Sequence, residues 1–155
     1  MEKIPFTKEG YKTLKKELAH LKTVERPNNI KAIEEAKAHG DLSENAEFAA
    51  AKERQSFIAG RIEELNYKLG NAEIISTENL PKEKVIFGSR VLLENIDTGE
   101  EVTYQLVGPE ESNIEKGKIS INSPLGKSII GKKPGVEISI QVPVGKRSYE
   151  LIDII

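Results

Sequence analysis

The chain has 155 residues, 37% of them hydrophobic and 31% charged, with 23 bases against 25 acids, two His, no Cys and no Trp. That length bounds it to one ordinary domain or two small ones, and its slight acidity speaks against autonomous gripping of duplex DNA, which normally needs a basic excess. The missing Cys exclude a disulfide scaffold, a thiolate zinc site and thiol catalysis; two His exclude a His-rich metal centre; and no apolar run approaches the roughly 18 residues of a membrane span.

The texture changes near residue 77. Residues 1–77 hold 13 bases, 13 acids and only four Gly, whereas residues 78–155 hold the other eight Gly and five of the seven Pro. The first part reads as helix and the second as strands. The polar stretch 76–81, ending in Pro81, reads as a linker. We therefore expect an α+β chain: a coiled-coil hairpin over residues 1–77 and a small globular domain over residues 82–155. The opening, Met1-Glu2-Lys3-Ile4-Pro5, has no apolar core of a signal peptide, so the expected location is the cytoplasm.

Thr7 is a good N-cap, with Phe6 and Tyr11 at the spacing of a hydrophobic staple. Tyr11, Leu14, Leu18 and Leu21 then step by three and four, a narrow seam that suits a coiled coil. Pro27 either kinks this helix or restarts it at its first turn. Ile30, Ile33 and Ala36 continue the helical spacing, and Gly40 is a natural stop. A second seam runs through Phe48, Ala51, Gln55, Ile58, Ile62, Leu65, Leu69 and Ala72. Gln55 is its one polar member, the kind of residue that fixes register. Two seams joined by a short turn predict an antiparallel helical hairpin whose end is the turn at residues 40–45.

In the second part, residues 85–93, 101–107, 118–121, 136–142 and 148–154 read as strands of a small antiparallel sheet, with a short helix over 125–130. Asp97-Thr98-Gly99 and Pro143-Val144-Gly145-Lys146 read as turns.

The densest polar cluster is Gly40-Asp41-Leu42-Ser43-Glu44-Asn45-Ala46-Glu47. A purely structural reading makes Asp41 an N-cap and Glu44 its capping-box partner. A functional reading notes that these acids sit at the end of a hairpin, where two carboxylates can reach a hard cation such as Mg²⁺. They are too few to hold it alone, so they would complete a metal site belonging to a partner. Lys37 and Lys52 flank the turn, one on each helix. They read either as solvated surface or as a basic patch for a phosphate backbone. The Gly-Lys pairs at 126–127 and 131–132 match no phosphate loop, and neither a Gly-x-Ser-x-Gly elbow nor a His-Glu-x-x-His pair occurs.

The run from Gly40 to Phe48, followed by Ala51-Lys52-Glu53 and Gly60-Arg61-Ile62, resembles the Gre family of bacterial transcript cleavage and elongation factors, in its GreA branch. Ile4-Pro5, Thr7, Glu25-Arg26-Pro27, Glu35-Ala36, Val85-Ile86-Phe87-Gly88-Ser89, Asp97-Thr98-Gly99-Glu100, Thr103-Tyr104, Val107-Gly108 and Ser123-Pro124-Leu125-Gly126 extend the likeness over the whole chain. The resemblance implies a C-terminal domain similar to FKBP-type folds that docks on RNA polymerase, with Ser123, Pro124 and Leu125 as the docking loop. It implies a hairpin that enters the polymerase secondary channel and stimulates the polymerase's own cleavage of backtracked RNA. The factor is then an activator, not itself an enzyme. Asp41 and Glu44 match the family's functional pair and would assist a Mg²⁺ and water at the polymerase site, so no cofactor of its own is expected. Glu47 matches a third family acid. Lys37 and Lys52 fall where the family contacts the extruded RNA 3′ end. A monomer without stable free-DNA or membrane binding is expected.

Phe48 departs from the family's common Tyr at that position, and no catalytic role is assigned to it. An inhibitor of the same architecture is the alternative, and intact acids at 41 and 44 argue against it. A peptidyl-prolyl isomerase is disfavoured because residues 78–155 hold only Phe87, Tyr104 and Tyr149 as aromatics. A plain coiled-coil partner would need the acids only as caps.

Overall fold

The structure is a computed structural model that describes residues 2–41 and 45–155. It divides into two compact units, one made of Tyr11–Ala72 and the other of Lys3–Gly10 with Glu73–Ile155.

The helical unit is an antiparallel hairpin. Its first arm contains α1 (Lys8–His20), a π-helical turn (Leu21–Glu25) and α2 (Arg26–Ala38); its second arm is α3 (Ala46–Gly70). Pro27 does not break the first arm, because Glu25 and Arg26 both keep right-handed helical angles. The adjustment falls one turn earlier. Proline lacks an N–H and crowds the carbonyl four residues before it. The Thr23 hydroxyl also donates to the Ala19 carbonyl at 2.7 Å, a bond that loosens the local ladder. The turn therefore widens, and the Arg26 N–H reaches back five residues to Leu21 O.

That extra residue rephases the seam. Leu14 and Leu21 are buried as the spacing predicts, but beyond the π turn the buried positions are Asn29, Ile33 and Ala36. Ile30, expected inside, is 53% exposed. Asn29 Nδ2 donates across the hairpin to Ala51 O at 2.9 Å. Asn29 is thus the polar residue of the seam. Gln55, expected in that role, lies exposed and accepts from Lys52 Nζ at 2.9 Å. From α3 the seam buries Ala51, Ile58, Ile62 and Leu65. Near the open end of the hairpin, Arg61 grips Glu17 through two bonds, Nε to Oε2 at 2.6 Å and Nη2 to Oε1 at 2.9 Å. Glu64 joins them, accepting from Lys68 at 2.6 Å and lying 3.2 Å from Arg61 Nη1. The Arg61 guanidinium holds the Glu17 carboxyl below its ordinary value, and the Lys68 ammonium does the same for Glu64.

The second unit opens with a ribbon that the sequence patterning does not announce: β1 (Ile4–Phe6) pairs with β2 (Ala72–Ile74). Thr7 then caps α1 as expected, its Oγ1 accepting the Gly10 N–H at 3.1 Å. Glu111 adds a second cap, accepting from the Thr7 N–H at 2.8 Å and from the Thr7 hydroxyl. Gly10 makes room for it, since a Cβ there would lie 2.0 Å from Glu111 Cδ.

The main sheet has five strands: β3 (Arg90–Asn95), β4 (Glu101–Val107), β5 (Lys118–Ser120), β6 (Glu137–Val142) and β7 (Gly145–Ile154), ordered β5-β4-β3-β7-β6. It is mixed rather than wholly antiparallel, because β5 runs parallel to β4. The chain leaves β4 through short 3₁₀ turns at Pro109–Glu111 and Ile114–Lys116, a crossover that returns it in the same direction. The expected strand over 85–93 starts only at Arg90. Before it, Ile86 and Ser89 close a turn through Ser89 N–H to Ile86 O at 3.0 Å and Ile86 N–H to Ser89 Oγ at 2.9 Å. The register of β3 on β7 slips between Leu92 and Leu93, which leaves Ile152 as the extra residue of a bulge in β7. Val91, Leu93, Leu106, Ile119, Ile138, Leu151 and Ile154 build the core, closed by Ile129 of α4 (Pro124–Ile129).

Candidate functional site at the hairpin turn

The turn is built by the two helix ends it joins. At the end of α2 the His39 N–H donates to Ala36 O at 3.2 Å, and Gly40 follows at φ +117°. That angle suits only glycine, so the chain reverses there at no steric cost. At the start of α3, Asn45 is the N-cap, its Oδ1 accepting the Phe48 N–H at 3.0 Å. Its Nδ2 donates back to Ala36 O at 2.7 Å. One side chain therefore starts α3 and ties it to the end of α2.

This corrects the capping reading. Asp41 does not cap α3, because Asn45 does. Sequence reasoning passed over Asn45, although Asn directly before an Ala-rich helical run is a strong cap signal. Asp41 is exposed and lines a hollow of about 440 Å³ with His39, Asn45, Ala46 and Glu47. His39 Nδ1 donates to Glu47 Oε2 at 2.9 Å across this hollow. Glu44, with Leu42 and Ser43, lies outside the described residues.

Lys37 and Lys52 come together on the hairpin. They line one groove of about 320 Å³ with Ile30, Ile33, Glu34, Phe48 and Gln55. Each is tethered along its own helix, Lys37 with Glu34 at 3.8 Å and Lys52 to Gln55. Phe48 supplies an apolar part of the groove's wall, and Ile30 is available there because of the π turn. The groove does not include Asp41, so the cationic and acidic features occupy separate hollows.

In the second unit, Ser123 is the N-cap of α4. Its Oγ accepts the Gly126 N–H at 3.0 Å and its hydroxyl donates to Ser120 O at 2.6 Å. Pro124 occupies the first helical turn and is exposed, while Leu125 packs partly against the core. Of the three residues read as a docking loop, Pro124 is thus the one most open to a partner. Among the described residues no group of three or more His, Cys, Asp or Glu could hold a metal ion, and no helix is long and apolar enough to cross a membrane.

Comparison with known proteins matches both parts. The family model "Transcription elongation factor, N-terminal" covers residues 4–74, and "Transcription elongation factor, GreA/GreB, C-term" covers residues 80–155. The chain is 52% identical over 154 residues to transcription elongation factor GreA of Syntrophus aciditrophicus, spanning 99% of this chain and 96% of that protein. It is 50% identical over 155 residues to GreA of Hyphomonas neptunium, spanning 100% and 99%. Among solved structures, the GreA factor homolog 1 (Gfh1) protein of Thermus thermophilus is 32% identical over 99% of each chain, with a TM-score of 0.44. The chain belongs to the GreA/GreB family of transcription elongation factors.

Proposed function

We propose that this transcription elongation factor acts inside a bacterial RNA polymerase. Its hairpin enters the secondary channel, reaches the backtracked RNA and stimulates the polymerase's own endonucleolytic cleavage, so that an arrested complex resumes synthesis. The observation that carries this reading is the division of labour at the turn: Asn45 caps α3, so Asp41 stands exposed beyond the end of α2 without serving that cap.

The donor chemistry fits an ion shared with the polymerase. Asp41 offers a hard carboxylate oxygen suited to Mg²⁺, and Glu44 is the second acid of the pair. Two carboxylates are too few to hold Mg²⁺ by themselves, which suits a pair that completes coordination begun by another protein. Bound there, Mg²⁺ supplies Lewis acidity and a more acidic water for phosphodiester hydrolysis. Asp41 and Glu44 hold and orient that assembly. The Lys37–Lys52 groove holds phosphates of the extruded RNA, with Phe48 and Ile33 beside its sugars and bases. Pro124 and its neighbours Ser123 and Leu125 form the docking loop. The factor works as a monomer in the cytoplasm, and its near-neutral charge suits a protein that recognises a polymerase rather than free nucleic acid.

The test is a halted, backtracked polymerase carrying 3′-labelled RNA. Adding the protein with Mg²⁺ should release short labelled 3′ fragments, and the shortened RNA should extend again when nucleotides are supplied. Binding that slows the polymerase and releases no fragment would overturn the proposal in favour of an inhibitor.

A further inference from the structure

We propose that His39 is a positioning residue for the turn: by holding Glu47 it fixes the start of α3 against the end of α2, and so fixes the base from which Asp41 is presented. The proposal rests on the reading of the turn given above and assigns Glu47 to this strap rather than to the metal.

Among the described residues, two side-chain bonds cross the hairpin at this point. Asn45 Nδ2 reaches Ala36 O at 2.7 Å, and His39 Nδ1 reaches Glu47 Oε2 at 2.9 Å. The first ties α3's cap to α2's last turn. The second ties α2's C-cap residue to α3's second residue. Both ends of the second bond suit the helix dipoles. His39 stands where the carbonyl end of α2 favours a donor, and Glu47 stands in the first turn of α3, where free N–H groups favour a carboxylate. Asp41 is two residues beyond His39 and lines the same hollow as His39 and Glu47. A hinge at His39–Gly40 is otherwise easy, since Gly40 tolerates many backbone angles. The strap restrains that hinge from the side chain.

His39 and Glu47 are 63% and 69% exposed, so in free solution the bond adds little to folding. Its effect grows when the turn is surrounded by another protein, where water screens it less. The strap should therefore act on the rate of stimulated cleavage rather than on stability or docking.

The experiment measures stimulated cleavage by a backtracked polymerase over a range of factor concentrations, separating the maximal rate from the half-saturating concentration. His39→Ala should lower the maximal rate roughly three- to tenfold, with the half-saturating concentration and helical circular dichroism unchanged. Glu47→Ala should do the same, and the double variant should be no worse than either single one, as expected of two residues acting through one bond. His39→Asn keeps a side-chain N–H near the position of Nδ1 and should restore most of the rate. A His39→Ala variant as fast as the wild type, a loss confined to Glu47→Ala, multiplying effects in the double variant, or failure of His39→Asn to restore the rate would each overturn the strap. If the wild type itself stimulates no cleavage, the reading of the turn fails first.

Discussion

Asn45 and Glu111 show how single side chains decide what their neighbours are left to do. Asn45 closes α3 and holds α2 through Ala36, so replacing it should cost more than a simple cap. We expect Asn45→Ala to lose about 1–2 kcal/mol, read by thermal or urea unfolding, because it removes both a cap and a tertiary bond. Asp41→Asn should leave unfolding within about 0.5 kcal/mol of wild type, since the site is exposed, the substitution is nearly isosteric and Asn45 is the cap of α3. A large loss of stability in Asp41→Asn would instead return Asp41 to a structural role. Gly10 is the counterpart in the second unit. A methyl there collides with Glu111, whose carboxylate holds the Thr7 N–H, so Gly10→Ala should destabilise by about 1–3 kcal/mol despite Ala's better helix propensity.

At the scale of elements, the helical arms were legible because their seams repeat, and the start of α1 was legible because Thr7 is a strong cap. The π turn was not. One residue inserted ahead of Pro27 has no side-chain signature, and it brought Asn29 rather than Ile30 into the seam, while Ile33 and Ala36 lie inside as expected. That is why Ile30 was assigned inside and Asn29 overlooked. The mixed sheet was hidden for a related reason: strand direction is set by the crossover through Pro109–Glu111 and Ile114–Lys116, not by alternation within β5. The β1–β2 ribbon joins short segments far apart in sequence, too brief for a periodic signal. Asn29→Ala should cost about 1 kcal/mol by removing a cross-hairpin bond.

The Glu17–Arg61 pair gives the hairpin a pH dependence whose sign follows from the lowered Glu17 carboxyl. A carboxyl held below its unfolded value adds stability above that value, about pH 4.3, and loses it as pH falls through the lower folded value. Glu17 is 40% exposed, so solvent screening keeps the pair to about 1 kcal/mol or less. Arg61→Ala should therefore unfold more easily than wild type at pH 7. The gap should narrow as pH falls below about 4, measured by urea titration at each pH. A gap that stays constant across that range would assign the loss to packing of the Arg61 side chain instead.

For the whole molecule, composition already pointed to a part with much surface and a thin core, and the turn's acidic cluster already singled out Asp41. What composition could not supply was the partner, because a carboxylate pair at a turn has the same sequence whether it caps a helix or completes a metal site. The structure gives the cap of α3 to Asn45, and family membership supplies the elongation context. The most direct measurement compares wild type with Asp41→Asn on one backtracked polymerase complex, at matched polymerase occupancy and with Mg²⁺ present. The account predicts that the variant binds like wild type but cleaves at least tenfold more slowly, the scale of losing a group that aids metal-assisted hydrolysis. Equal cleavage by both proteins at equal occupancy would contradict it.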